Sequence, residues 1–340
     1  MRAAPSPLII GHRGASGYRP EHTSAAYELA FALGADAVEP DIVATRDGVL
    51  VLRHENDVSV TTDVASRPEF AGRRTTKRID GAEVTGWFTE DFSWDELKTL
   101  RACERLGPLR SGSATFDGRF PIMRLSELFE LIDRASERSG RSLGMVAEIK
   151  HATYFESIGL PLDELFAAAA TDAGWGGDRG RLVVESFERT VLGKVRARGI
   201  MAKRVYLIEP DGAPADEVAA HGAAARRYTD DVTEEGLFEL ATAIESERVD
   251  GISVAKSLVL DASSPDGTTD LVDRAHGAGL GVFCWTLRPE NAFLAEQFRH
   301  GTQGAAWGDW RGEFELLIDS GVDGVFTDQP DLVADVRASR

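Results

Sequence analysis

The sequence predicts an α/β fold, a closed (β/α)8 barrel of the TIM type, and three observations carry that expectation. Short apolar, β-branched runs recur along the chain, helix-period segments separate them, and the alternation repeats about eight times. The length of 340 residues suits one such barrel with insertions. A doubly wound sheet is the alternative, but no G-x-G-x-x-G follows the first strand and no P-loop occurs.

Strands are expected at Pro7–His12, Ala37–Ile42, Val49–Arg53, Gly144–Ile149, Leu182–Ser186, Arg204–Ile208, Gly251–Val254, Gly281–Trp285 and Gly321–Thr327. Amphipathic helices are expected between them, at Thr23–Leu33, Leu125–Ser139, Leu162–Ala173, Arg189–Arg198, Glu234–Glu247, Thr269–Ala278 and Gly312–Ser320. Thr23 or Ser24 is placed to cap the first helix. From about Asn56 to Phe120 the rhythm breaks. That stretch is polar, rich in Thr, Arg and Gly, and too long for a plain loop, so it reads as an inserted cap. Its Trp87, Phe88, Phe92 and Trp94 either line a substrate entrance or form a small core of their own. A shorter irregular region runs from Arg288 to Asp309.

Charge narrows the function. The chain carries 38 Lys and Arg against 56 Asp and Glu, a formal charge of −18. Such a chain repels polyanions, which disfavours nucleic acid and stable association with anionic membranes. No window approaches the ~18 apolar residues of a membrane helix. No secretory apolar core of roughly 7–15 residues is visible near the start, so a cytoplasmic location is expected unless a leader has been removed. Cys103 and Cys284 are far apart and belong to no Cys/His cluster, which argues against a disulfide or a cysteine zinc site.

Four segments place reactive groups at strand ends, and catalytic groups of such barrels gather at the C-terminal mouth. The first strand finishes in His12-Arg13-Gly14, where glycine lets the backbone approach a ligand. The second ends in Glu39-Pro40-Asp41, whose i, i+2 spacing puts two carboxylates on one face. Pro40, with no N–H to donate, marks a strand end. Val49–Arg53 is followed by His54, and Gly144–Ile149 carries Glu148 with Lys150 two positions on. Carboxylates crowded into an apolar mouth need a cation, and oxygen donors select a hard divalent ion, Ca2+ or Mg2+. Glu39, Asp41 and Glu148 are the expected ligands. Arg13 and Lys150 would neutralise phosphoryl oxygens. His12 and His54 would divide general base and general acid roles. That is equipment for phosphodiester cleavage.

These residues resemble the glycerophosphodiester phosphodiesterase family. The resemblance rests on HRGASGYRPEHTSAA from His12, GADAVEPDI from Gly34, VLRHEND from Val51, AEIK at Ala147, VFCWT at Val282 and GVDGVFTDQP from Gly321. The segments occur in family order along most of the chain. The resemblance implies a single catalytic domain over 1–340, a TIM-type barrel with an insertion after the second strand at 56–118. It implies hydrolysis of a small-molecule glycerophosphodiester, such as glycerophosphocholine or glycerophosphoethanolamine, to sn-glycerol 3-phosphate and an alcohol. The family route uses the glycerol 2-hydroxyl as internal nucleophile, giving a cyclic phosphate that water opens. Carried over by position, Glu39, Asp41 and Glu148 hold one divalent cation, His12 and His54 are the catalytic pair, and Arg13 and Lys150 contact phosphate. Glu21 falls at a site carboxylate, and Trp285 is a wall for the glycerol end or a core residue. Two positions depart from the pattern: His22 stands where many members have Asn, and Glu55 where many have Asp.

Two other classes compete. A lipid-acting relative, phospholipase D-like or lysophospholipase D, would share the metal and histidine logic but should display an exposed apolar lip or membrane helix. A non-catalytic barrel kept as a binding module should have lost a histidine or a carboxylate, whereas all five are present.

Overall fold

The computed structural model describes residues 6–177 and 180–340; the first five residues of the expected single domain lie outside the described residues. Among the described residues twelve strands occur in chain order: β1 (Leu8–His12), β2 (Ala37–Glu39), β3 (Asp41–Ala44), β4 (Leu50–Leu52), β5 (Thr75–Ile79), β6 (Ala82–Gly86), β7 (Gly144–Ile149), β8 (Leu182–Ser186), β9 (Lys203–Ile208), β10 (Gly251–Ala255), β11 (Gly281–Leu287) and β12 (Gly324–Thr327). Parallel pairing runs from β2 through β1, β12, β11, β10, β9 and β8 to β7, and β7 closes the ring by pairing with both β2 and β3. The barrel is therefore closed, with β2 and β3 forming one stave interrupted at Pro40.

Two expectations need correction. Ala37–Ile42 is not one continuous strand, because proline has no N–H for the ladder. Val49–Arg53 is not a barrel stave. Residues Leu50–Leu52 fold back antiparallel on β3, pairing Ile42 with Leu52 and Ala44 with Leu50. The signal was Asp47-Gly48, a hairpin turn in which Gly48 takes φ +76°. The return strand brings His54 back to the barrel mouth, with Arg53 N–H donating to the Asp41 carbonyl.

The helices agree more closely. Leu125–Ser139 has the expected bounds, and Ser24–Ala32 starts behind a Thr23 cap whose hydroxyl accepts from Ala26 N–H. The helix expected over Glu234–Glu247 stops at Thr242, where Ala243 turns to ψ 164°. Among the described residues six helices went unforeseen: the longer Ala152–Ser157, Ala215–His221 and Pro330–Ala338, and the single turns Trp94–Leu97, Ser111–Ala114 and Tyr228–Asp231. Among the described residues no helix is long and apolar enough to cross a membrane.

The apolar residues divide into two bodies. The larger lies between strands and surrounding helices, around Ile9, Val38, Ala147, Val184, Ile252 and Val325. The smaller comprises Ile10, Ala37, Val146, Val205, Phe283 and Phe326, drawn from six staves. Strand side chains alternate in direction, so these six share the barrel interior and the intervening residues face the helices. The residues two positions further along each strand then stand one layer higher, over the plug.

In the segment between β4 and β7, Phe70 packs edge-on against Phe92 at 5.1 Å, and Trp87 and Phe88 are buried beside them. None of these rings, nor Trp94, lines the barrel-mouth cavity; Phe70, Trp87 and Phe92 instead join the larger apolar body, with Trp94 packed against it, so they form neither an entrance nor a core of their own. The β5–β6 hairpin projects from this segment.

Where the first strand turns at its end, Gly14 adopts φ +88°, and an added Cβ would lie 2.5 Å from the Ala26 backbone. Gly14→Ala is expected to cost about 2 kcal/mol or more in stability, read as a lowered midpoint in urea unfolding.

Candidate active site

The layer above the plug is polar. Two positions beyond Ile10, Ala37, Val146, Phe283 and Phe326 come His12, Glu39, Glu148, Trp285 and Asp328. Val183, packed against the same plug, is followed at that spacing by Glu185. This layer floors a cavity of about 1030 Å³ at the C-terminal mouth. Of the residues anticipated from sequence, His12, Arg13, Glu39, His54, Glu148, Lys150 and Trp285 line it, while Glu21 and Asp41 lie behind its wall.

Three carboxylates meet most tightly: one oxygen each from Glu39, Glu148 and Glu185 lies within 4.8 Å of the others. Glu185, which the sequence reading did not name, completes this group. Asp41 is adjacent, in register with Glu148 across the strands, but its Oδ2 is engaged by Arg13 Nε at 3.1 Å and His22 Nε2 at 2.9 Å. His22 thus serves as a buried donor to Asp41.

The carboxylate group lacks positive charge. Glu39 Oε1 and Glu185 Oε2 are buried with no hydrogen-bond partner among the described residues. Burial and then the Asp41 charge push Glu39 well above the carboxylate range, and burial and then Glu148 do the same to Glu185. Glu148 rises to about 8 because burial outweighs the help of Lys150, whose Nζ lies 2.8 Å away. Buried oxygens left unpaired beside one another fit a divalent cation. These residues could hold one.

Two cations border the group. Arg13, at φ +58°, donates through Nη1 to Glu21 at 3.1 Å, and Glu21 also accepts from Arg105 Nε at 2.8 Å. Glu21 therefore braces Arg13 from behind. Lys150 Nζ sits 5.5 Å from the centre of the Phe187 ring, and Trp285 packs edge-on to Phe187 at 5.9 Å.

The histidines are each held by a carboxylate. His12 Nδ1 donates to Asp328 Oδ1 at 2.6 Å. Burial opposes charge on Asp328, but Arg288 and Arg110 hold it well below the usual range, so it can only accept. Burial, with Arg13 nearby, lowers His12 to about 3; the neutral ring carries its proton on Nδ1, leaving Nε2 as the acceptor. His54 Nδ1 lies 2.8 Å from Glu55 Oε1, and burial followed by Arg13 and Lys150 lowers it to about 4.

Sequence reasoning missed Glu185, Asp328, Arg110, Arg288 and His151. The first two were accessible in principle. Glu185 ends a recognised strand, and Asp328 stands inside the quoted GVFTDQP segment. The arginines come from irregular regions whose return path to the mouth has no local signature.

This arrangement of oxygen ligands, cations and neutral imidazoles has counterparts among known proteins. The sequence profile of the Glycerophosphoryl diester phosphodiesterase family matches residues 12–332. The chain belongs to this family. A glycerophosphodiester phosphodiesterase of Arabidopsis thaliana is 30% identical over 337 residues, covering 95% of this chain and 83% of the plant protein. Among solved structures, a glycerophosphoryl diester phosphodiesterase from Silicibacter pomeroyi superposes with TM-score 0.66 at 21% identity, over 98% of this chain and 94% of the other. A phosphodiesterase from Oleispira antarctica, solved with the product sn-glycerol-3-phosphate, has TM-score 0.60 at 20% identity, over 97% and 96% of the two chains. The barrel is thus the family fold, and the chain is a phosphodiesterase.

A cation must displace the proton that Glu148 retains below pH ~8, and any held by Glu39 and Glu185, whose carboxyls burial also raises, so affinity should rise from pH 6 through pH 8. Titration calorimetry with Ca2+ or Mg2+ in buffers of differing ionisation heat should register proton release at pH 7. Glu185→Gln should weaken binding about tenfold or more; an affinity equal to that of the unaltered chain would remove Glu185 from the site.

Proposed function

We propose that this phosphodiesterase hydrolyses glycerophosphodiesters such as glycerophosphocholine or glycerophosphoethanolamine, releasing sn-glycerol 3-phosphate and an alcohol. One observation carries the reading: His12, His54, Arg13 and Lys150 face the same cavity as three buried, under-neutralised carboxylates. A hard divalent cation, Ca2+ or Mg2+, is the cofactor, held by Glu39, Asp41 and Glu148 with Glu185 as a fourth carboxylate. When bound, it supplies positive charge to non-bridging phosphoryl oxygens.

The protein groups do the rest. Arg13 and Lys150 take the phosphate oxygens, and Glu21 fixes the guanidinium of Arg13. One imidazole, neutral, accepts the proton of the glycerol 2-hydroxyl as its oxygen bonds to phosphorus; the bond to the alcohol breaks, and the other, which enters the step as imidazolium beside the phosphate anion, gives its Nε2 proton to that oxygen. Water then opens the cyclic phosphate, with the roles reversed. An internal nucleophile avoids the entropy of gathering a second reactant. Trp285 forms the wall at the glycerol end. Elsewhere Phe187, Tyr228, Glu188 and Glu209 line the cavity, and rings beside carboxylates suit an ammonium-bearing alcohol.

The whole chain acts as one catalytic domain in this reading, with 56–118 as a cap belonging to it. The substrate is a small molecule. Nucleic acid and stable membrane association are not part of it, since the −18 charge opposes both anionic surfaces.

Release of glycerol 3-phosphate from glycerophosphocholine, followed with coupled glycerol 3-phosphate dehydrogenase, tests the proposal. EDTA should abolish turnover, and Ca2+ or Mg2+ should restore it; a rate indifferent to EDTA would overturn the metal assignment. His12→Ala and His54→Ala should each lower turnover by about 10²-fold or more.

A further inference from the structure

Both histidines are linked to the inserted segment by chains of polar contacts that start from different parts of it, hydrogen-bonded throughout to His12 and ending on His54 in an ion-pair contact. The first runs from Arg110. Its Nη2 donates to Asp328 Oδ2 at 2.6 Å, Arg288 Nε donates to the same oxygen at 2.6 Å, and Asp328 Oδ1 receives His12 Nδ1–H. Arg110 is itself fixed by Nε–H on Glu290 Oε1 at 2.8 Å. The second runs from Asp80. His151 Nδ1 donates to Asp80 Oδ2 at 2.6 Å, its Nε2 donates to Glu55 Oε2 at 2.9 Å, and Glu55 Oε1 faces His54 Nδ1.

We propose that the segment 56–118 is a positioning element for both imidazoles, Arg110 acting on His12 through Asp328 and Asp80 acting on His54 through His151 and Glu55. The proposal rests on the acid–base roles given to the two histidines above. An imidazole rotates broadly about its outer torsion unless one nitrogen is held, and an error of about 1 Å in a reacting group can cost 10²-fold in rate. In the first chain the bond sits on His12 Nδ1, and in the second Glu55 Oε1 stands 2.8 Å from His54 Nδ1; both leave Nε2 for the substrate.

Packing alone does not account for these contacts. Arg110 is 4% exposed and lies between two carboxylates that are also buried. Such charges gain little over apolar residues as fold stabilisers, because desolvation offsets their attraction. Asp80 occupies the exposed β5–β6 turn, where an ion pair contributes little to folding. Its backbone takes φ +47°, as the Asp-Gly turn demands, yet its partner His151 holds φ +50° at a position next to Lys150, with no glycine to ease it. A strained non-glycine residue persists where its surroundings over-determine it. Among the described residues, the only other non-glycine residues with positive φ are Arg13 and His22, both at the site.

Steady-state kinetics on glycerophosphocholine, with the divalent cation present, test the two chains separately. Asp80→Asn should lower kcat by about tenfold with KM within about twofold, and Asp80→Glu should recover most of the loss. In a His54→Ala background Asp80→Asn should add nothing, whereas in a His12→Ala background it should keep its full effect. Arg110→Gln should behave in the mirror sense, silent with His12→Ala and fully expressed with His54→Ala. An unchanged kcat for Asp80→Asn, or an equal loss in the His54→Ala background, would overturn the proposal. If Arg110→Gln fails to fold, the Asp80 series decides alone, since that residue sits on a solvent-facing turn. Absence of turnover in the unaltered protein would instead refute the phosphodiesterase substrate reading.

Discussion

The site depends on strand alternation above an apolar plug. Ile10, Ala37, Val146, Val205, Phe283 and Phe326 fill the barrel and exclude water from below. The next inward layer receives His12, Glu39, Glu148, Glu185 and Asp328 because side chains repeat direction every second residue. A slip of one residue in any stave would send its functional group toward the helices. The plug also sets the electrostatics. Over an apolar floor, carboxylates cannot shed their charge into solvent, so they retain protons or recruit a cation.

That constraint resolves the tension between an acidic chain and an anionic substrate. The net charge repels polyanions at a distance, where the summed field acts. Inside the mouth the field is local. Arg13 and Lys150 are each paired with carboxylates but do not fully balance the group, and a bound divalent cation would bring Glu39, Asp41, Glu148 and Glu185 to neutrality while presenting its own charge to the substrate. The surroundings of Asp328 are better balanced, with Arg110 and Arg288 both on its Oδ2 and Arg110 shared with Glu290. His12 therefore stands next to an anion that stays ionised.

Much of this was readable from sequence because it is periodic. The staves, most helices and the i, i+2 pairs Glu39/Asp41 and Glu148/Lys150 follow from alternation. Closure after the eighth stave follows from their number. What escaped is not periodic. Pro40 split the second stave, and the Asp47-Gly48 turn converted an expected stave into a hairpin return; both carry local chemistry that alternation ignores. Glu185 was hidden because a single carboxylate at a strand end is common. Arg110 and Asp80 reach the site from the inserted segment, where sequence distance gives no measure of distance in space, and His151, though next to Lys150, carries no sign of its two carboxylate partners. His22 and Glu55, the two departures from the family pattern, prove to be donor and acceptor within these contacts.

The pairing of β1 with β12 joins the beginning and end of the described fold, and His12 meets Asp328 across a separation of 316 positions. Contacts so remote in sequence form late, since a long loop must close before they return any free energy. During synthesis, the emerging chain could assemble its early carboxylates while His12 still lacked its anchor. The anchoring of His12 is then a property of the finished ring, complete only when the last stave seats beside the first.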